Sequence, residues 1–112
     1  MKELYLDYIQ ERLGKEILVE PGKAFIIYEI QGEEIYIQDI YVDPLYRKTG
    51  LMAEMEKKIE ALAIQRGCRY ATGSVQPSAN NSTQGLEYCL KRGYKLLETG
   101  NNYIILKKEL ME

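Results

Sequence analysis

The sequence predicts a mixed α/β fold, one sheet with helices packed against it, and three observations carry that prediction. Two apolar runs, Ala24 to Ile30 and Ile35 to Val42, flank the polar segment Gln31-Gly32-Glu33-Glu34 in the manner of an antiparallel hairpin. The second run passes through a short basic turn directly into an amphipathic stretch, Leu51 to Gln65, so a strand feeds a helix. Read end to end, the chain gives helix, three strands, helix, strand, helix and two strands, an order that belongs to a mixed sheet.

Each element has its own justification. Leu4, Tyr5, Tyr8, Ile9, Arg12 and Leu13 recur at helical spacing, and Gly14 stops the run, so residues 2–13 read as a short amphipathic helix. Ile17 to Val19 is a brief strand ahead of the Pro21-Gly22 turn. Both hairpin strands are apolar enough to imply cover on two faces. In the helix from Leu51, residues Leu51, Met52, Met55, Ile59 and Leu62 share one face, Glu54, Glu56, Lys57, Lys58 and Glu60 fall mostly on the other, and Gly67 closes the end. Tyr70 to Val75 is a strand, and Gln76 to Asn81 is a loop of turn formers. Ser82 to Arg92 is a second helix, capped by Asn81 or Ser82 at its start and by Gly93 at its end. Tyr94 to Leu97 and Tyr103 to Lys107 form a last hairpin across Thr99-Gly100-Asn101-Asn102.

Bulk properties narrow the function classes. A chain of 112 residues fits one domain, residues 1–112, with a genuine core. A net charge of −2 gives no general attraction to nucleic acid or to an anionic membrane surface. With no cationic leader and no apolar run of the ~20 residues a span needs, the cytoplasm is the expected location. Histidine is absent, which excludes Ser-His-Asp and Cys-His hydrolases and a His-ligated metal centre, and no metal is expected. Cys68 and Cys89 are too few for a disulfide framework and read as reduced, buried thiols. Ten tyrosines against one phenylalanine read as core and rim aromatics.

The informative place is the junction Arg47-Lys48-Thr49-Gly50. Behind it lies the strand ending at Val42 and ahead of it the helix from Leu51. Backbone N–H groups, two cations and the positive end of a helix dipole therefore converge there, and diphosphates bind at such places. A glycine at position 50 lets the backbone approach an anion closely.

Taken with its neighbours, Val42-Asp43-Pro44-Leu45-Tyr46-Arg47-Lys48-Thr49-Gly50-Leu51 resembles the signature of the GNAT family of acyl-CoA-dependent N-acyltransferases. Downstream, Leu90-Lys91-Arg92-Gly93-Tyr94 looks like that family's Lys-x-Gly-Phe. The element order matches too, from the family's first helical region onward, without its opening strand and one early helix. The resemblance implies a sheet with a central parallel strand pair that splays apart, the strands being those ending at Val42 and Val75. It further implies that acyl-CoA lays its pantetheine along Ile40, Tyr41 and Val42. The diphosphate would rest on the turn of Arg47, Lys48, Thr49, Gly50, Leu51 and Met52. Met52 departs from the small residue usual there and is read as a core residue of the helix face.

The implied reaction is direct attack of a primary amine of a small molecule or protein on the acetyl thioester. The protein supplies positioning, removes a proton from the amine and returns one to the thiolate. Counting back from Gly93 places Cys89 at the family's tyrosine proton donor and Ser82 at its asparagine. A register one residue earlier gives these roles to Tyr88 and Asn81; Tyr88 is the preferred acid, the alternatives being Cys89 or no dedicated acid at all, and with no histidine to activate it Cys89 reads as a buried small residue rather than a nucleophile. For the base, Asp39 is preferred to Glu34, since it alternates with Ile37 and Tyr41 inside an apolar strand, whereas Glu34 lies at the hairpin. Two other readings stay open: a non-catalytic CoA-binding or protein-interaction module of the same fold, and an interaction protein that only mimics the motif. The edge strand expected in Tyr103 to Lys107 leaves monomer and homodimer both open.

Overall fold

The structure, a computed structural model, describes residues 2–78 and 82–110. Its elements are α1 (Lys2–Leu13), β1 (Glu16–Glu20), β2 (Ala24–Gln31), β3 (Glu34–Val42), a 3₁₀ turn (Pro44–Tyr46), α2 (Leu51–Gln65), β4 (Tyr70–Val75), α3 (Ser82–Lys91), β5 (Lys95–Gly100) and β6 (Tyr103–Glu109). They match the sequence reading element for element, apart from the 3₁₀ turn. There the Asp43 carboxylate accepts from Leu45 N–H at 3.0 Å, and Pro44 supplies a φ suited to the first helical position.

All six strands form one sheet in the order β1-β2-β3-β4-β6-β5. Every neighbouring pair is antiparallel except β3 and β4, which run parallel because α2 carries the chain back across the sheet between them. The last hairpin folds back so that β6 lies between β4 and β5. Tyr103 to Lys107 is therefore an interior strand, and the edge expected there belongs to β5, all of whose residues are exposed. Hairpin chemistry fixes that two strands are neighbours. It does not fix which of them meets the rest of the sheet.

One face of the sheet is covered by α2 and α3. Ala24, Ile26 and Tyr28 of β2, Ile35 and Val42 of β3, Ala71 of β4 and Leu106 of β6 pack there with Met55, Ile59 and Ala63 of α2, Cys68 and Tyr94. Burying each large aliphatic side chain stabilises the fold by roughly 1.5–3 kcal/mol. Met52, Leu86 and Cys89 are half-buried against the same cluster, so Met52 lies at the margin of the core rather than inside it. Glu56 departs from the expected polar face: it is only 6% exposed, beside Met55 and Ile59.

Cover on the opposite face is partial. Here α1 packs along β1 and buries Ile9, and Ile27 is buried on the β2 face that points away from Ile26. Leu4, Tyr5, Tyr8 and Leu13, which the helical spacing had grouped with Ile9, remain exposed. The second face of β3 is likewise open around Asp39 and Tyr41.

Candidate functional site

The site starts with a parting of strands. β3 and β4 are paired through four rungs, Glu34↔Tyr70 to Ile37↔Gly73, and not beyond. Past that point β4 stays paired with β6 up to Val75↔Ile104, and β3 stays paired with β2 up to Val42↔Ala24. The two strands thus diverge, and among the described residues the strand pairing of β3 past Gln38 is with β2. The cause is a bulge in β3. Its register with β2 steps from Ile27↔Asp39 to Tyr28↔Ile37, leaving Gln38 unopposed, and such an extra residue bends and twists the strand that carries it.

The bulge also corrects one expectation. Strict alternation would put Asp39 on one face with Ile37 and Tyr41. Because Gln38 breaks the alternation, the core-facing set on β3 runs Ile35, Ile37, Ile40, Val42, and Asp39 shares the open face with Tyr41 alone of those two. Burial pulls the Asp39 carboxyl above the ordinary aspartate value even though the residue keeps an open side, and a hydrogen bond from the Ile40 N–H acts weakly the other way.

From the open end of β3, the chain reaches the start of α2 through residues 47–50. Gly50 is in the left-handed region at φ 90°, as is Lys48 at φ 64°. No side chain caps α2, so its first N–H groups face outward from a glycine, with the helix dipole behind them. Arg47 does not join Lys48 as a free cation at this end. Its Nε donates to Val42 O at 2.9 Å and its guanidinium lies 5.6 Å from the Tyr41 ring centre, so it braces the end of β3. Thr49 Oγ1 donates to Tyr46 O at 2.6 Å, which tightens the same turn. Lys48 is exposed. The donors, the diverging end of β3 and the lysine together suit a ligand with an anion at one end and an amide-bearing arm at the other.

Across the core-facing side of this cleft stands α3. Tyr88 Oη donates to Glu56 Oε1 at 3.3 Å, and Arg92 Nε donates to the same oxygen at 2.5 Å. Lys108 of β6 lies 4.0 Å from Glu56 Oε2 and bonds Glu60 at 2.7 Å. A buried carboxylate left alone would cost several kcal/mol, and this one is matched by two cations and a phenol. Burial, helped by the Glu56 charge, pushes the Tyr88 phenol up to about 12, and burial also raises the Cys89 thiol. Cys68 and Cys89 are both free thiols. Of the expected asparagine pair, Asn81 lies outside the described residues, and Ser82 opens α3. Among the described residues, no group of three or more His, Cys, Asp or Glu is placed to hold a metal ion, and no helix is long and apolar enough to cross a membrane.

On the open face, Thr72 Oγ1 donates to Glu34 Oε2 at 2.5 Å, and Tyr36 Oη lies 3.0 Å from Ser74 Oγ. Sequence reasoning named Glu34 but missed Tyr36, Ser74 and the Glu56–Arg92 pair. The alternations Glu34-x-Tyr36 and Thr72-x-Ser74 put polar groups on one face of each strand, and that was the available signal.

Three comparisons bear on this geometry. The model of the acetyltransferase (GNAT) family matches residues 13–98. A thialysine N-epsilon-acetyltransferase of Sus scrofa is 38% identical over 52 residues, which are 46% of this chain and 31% of that protein, so the match spans under a third of the relative. Among solved structures, a PaiA N-acetyltransferase from Thermoplasma acidophilum in complex with coenzyme A superposes with a TM-score of 0.75 at 17% identity, covering 96% of this chain and 70% of that one. A GNAT acetyltransferase from Elizabethkingia anophelis with acetyl-CoA bound gives a TM-score of 0.72 at 17% identity, covering 97% and 83%.

Proposed function

Because the chain belongs to the acetyltransferase (GNAT) family, we propose that it transfers an acetyl group from acetyl-CoA to a primary amine by direct attack. The observation that carries this reading is the divergence of β3 and β4 past Ile37↔Gly73, which leads along the end of β3 to a helix start with no side-chain cap. Residues Ile40, Tyr41 and Val42 would pair through their backbone with the pantetheine amides. The N–H groups from Lys48 to Met52 and the Lys48 ammonium would hold the diphosphate. Two solved proteins of similar fold carry coenzyme A or acetyl-CoA, which supports the same ligand here.

In the reaction, the amine lone pair forms the new C–N bond at the acetyl carbon, the C–S bond breaks, and the sulfur leaves with the electron pair. The amine must first lose a proton, and Asp39 on the open face is our choice to receive it, directly or through water, with Glu34 the alternative. The departing thiolate takes a proton from Tyr88, whose phenol remains protonated across any working pH, with Cys89 the alternative. A thiolate is a good leaving group, so positioning contributes more to the rate than this last transfer does.

The test is release of free thiol from acetyl-CoA with a panel of primary amines. Amine-dependent release is expected. In that assay Tyr88→Phe is expected to slow turnover about a hundredfold, the low end of the usual range for losing a positioned acid, and Cys89→Ala to leave it unchanged. Loss in Cys89→Ala alone would reassign the donor. One observation favours a second reading, a CoA-binding module without turnover: the Tyr88 hydroxyl is already engaged by Glu56. Coenzyme A binding without thiol release for any amine would select it.

A further inference from the structure

The open face carries a hydroxyl pair that the acyl-transfer reading leaves unused. Tyr36 stands on the rung before the last β3–β4 pair, Ile37↔Gly73, and Ser74 is the first β4 residue past it. Their oxygens, 3.0 Å apart, bridge the two strands where these part, on the side of the sheet opposite α2 and α3. Within such a pair one O–H is spent on the other oxygen, which leaves lone pairs free to accept from an N–H donor.

The charges around the pair favour a cation. Glu34, two residues back on the same face of β3, is held by Thr72 Oγ1, and Asp39 stands on this face beyond the bulge. Glu29, opposite Tyr36 on β2, is already neutralised by Lys15 at 2.6 Å. On the β6 side, Lys107 opposite Thr72 lies 4.2 Å from the Tyr70 ring centre and 3.6 Å from Glu109. A bound ammonium would meet two carboxylates, while the lysines on this face, Lys15 and Lys107, are engaged with Glu29 and with Glu109 and the Tyr70 ring.

We infer that Tyr36 and Ser74 anchor the acceptor: a primary ammonium donates to this hydroxyl pair, with Glu34 and Asp39 balancing its charge, and so arrives from the face opposite α2. The anchor selects cationic primary amines over neutral amides of the same size. It rests on the acyl-transfer reading, and its failure is separable from the failure of that reading.

The experiment is an NMR titration of the coenzyme A-loaded protein with n-butylamine, with thialysine, and with butyramide as the neutral control. Shifts centred on Tyr36 and Ser74 with the two amines and not with butyramide are expected. Tyr36→Phe and Ser74→Ala should each weaken the amine titration about tenfold, as loss of one hydrogen bond to a charged group does, while coenzyme A affinity stays unchanged. No amine-specific shifts, shifts centred elsewhere, or equal weakening of coenzyme A would overturn the anchor. A protein that binds no coenzyme A at all would instead remove the acyl-transfer reading beneath it.

Discussion

The two faces of the sheet are built from the same alternating strands and are used in opposite ways. Toward α2 and α3 the strands present Ile26, Ile35, Ala71 and Leu106, packed to exclude water, and the polar group enclosed with them, Glu56, is matched by Arg92, Lys108 and Tyr88. Toward the open side they present Glu34, Tyr36, Asp39, Thr72 and Ser74, bonded in pairs or left facing water. A residue's neighbour in sequence therefore serves the other purpose: Ile35 stabilises, and Tyr36 is available for binding. Substitutions on the packed face should therefore act on stability and those on the open face on chemistry.

Ile59→Ala, on the packed side, gives the largest expected effect. It should cost about 4 kcal/mol of unfolding free energy, the usual range for emptying a full aliphatic site, and urea denaturation would read it. Glu56→Ala should cost about 3 kcal/mol, because it leaves Arg92 and Lys108 without their buried counter-charge. If Glu56→Ala proved neutral, the contrast between the faces would have to be redrawn around a solvated cluster.

Gly50→Ala lies between the faces, at the turn that joins them. A φ of 90° is unfavourable for alanine, so a loss of roughly 1–2 kcal/mol is expected, with weaker coenzyme A binding measured by calorimetry. Unchanged affinity would mean that the turn is not the anion site.

Asp39→Asn, on the open side, should move stability least, within about 0.5 kcal/mol. Its sign follows from the raised carboxyl pKa. The folded state binds the proton more tightly than the unfolded one, so Asp39 favours folding most below the ordinary aspartate value. That contribution is lost as pH rises through the higher folded value. The asparagine variant should therefore be slightly the more stable at neutral pH and lack that fall on a pH–stability curve, while losing rate if Asp39 receives the proton. A variant less stable than the parent at neutral pH would contradict the assigned direction.

Much of this was legible in the sequence, because local physics decides it. The helix Leu51–Gln65 and the strand Tyr70–Val75 occupy the very residues expected, since periodicity and the stop at Gly67 act within a few residues. Residues 47–50 were equally readable, as a glycine and two cations between a strand and a helix. What stayed hidden was long-range. The order of β5 and β6 depends on which one meets β4. The bulge at Gln38 depends on β2, so the face of Asp39 could not be counted from alternation alone. Glu56 looked like a surface residue until Arg92 and Lys108, far along the chain, were brought to it.

Everything proposed for this site depends on the N–H groups at the start of α2 holding the diphosphate of coenzyme A. Calorimetry with coenzyme A and with pantetheine, which lacks the diphosphate, is the decisive measurement. Coenzyme A should bind one-to-one, more weakly with added salt and with Lys48→Glu, and pantetheine should bind far more weakly. Equal affinity for the two, or no heat with coenzyme A, would rule this anion site out.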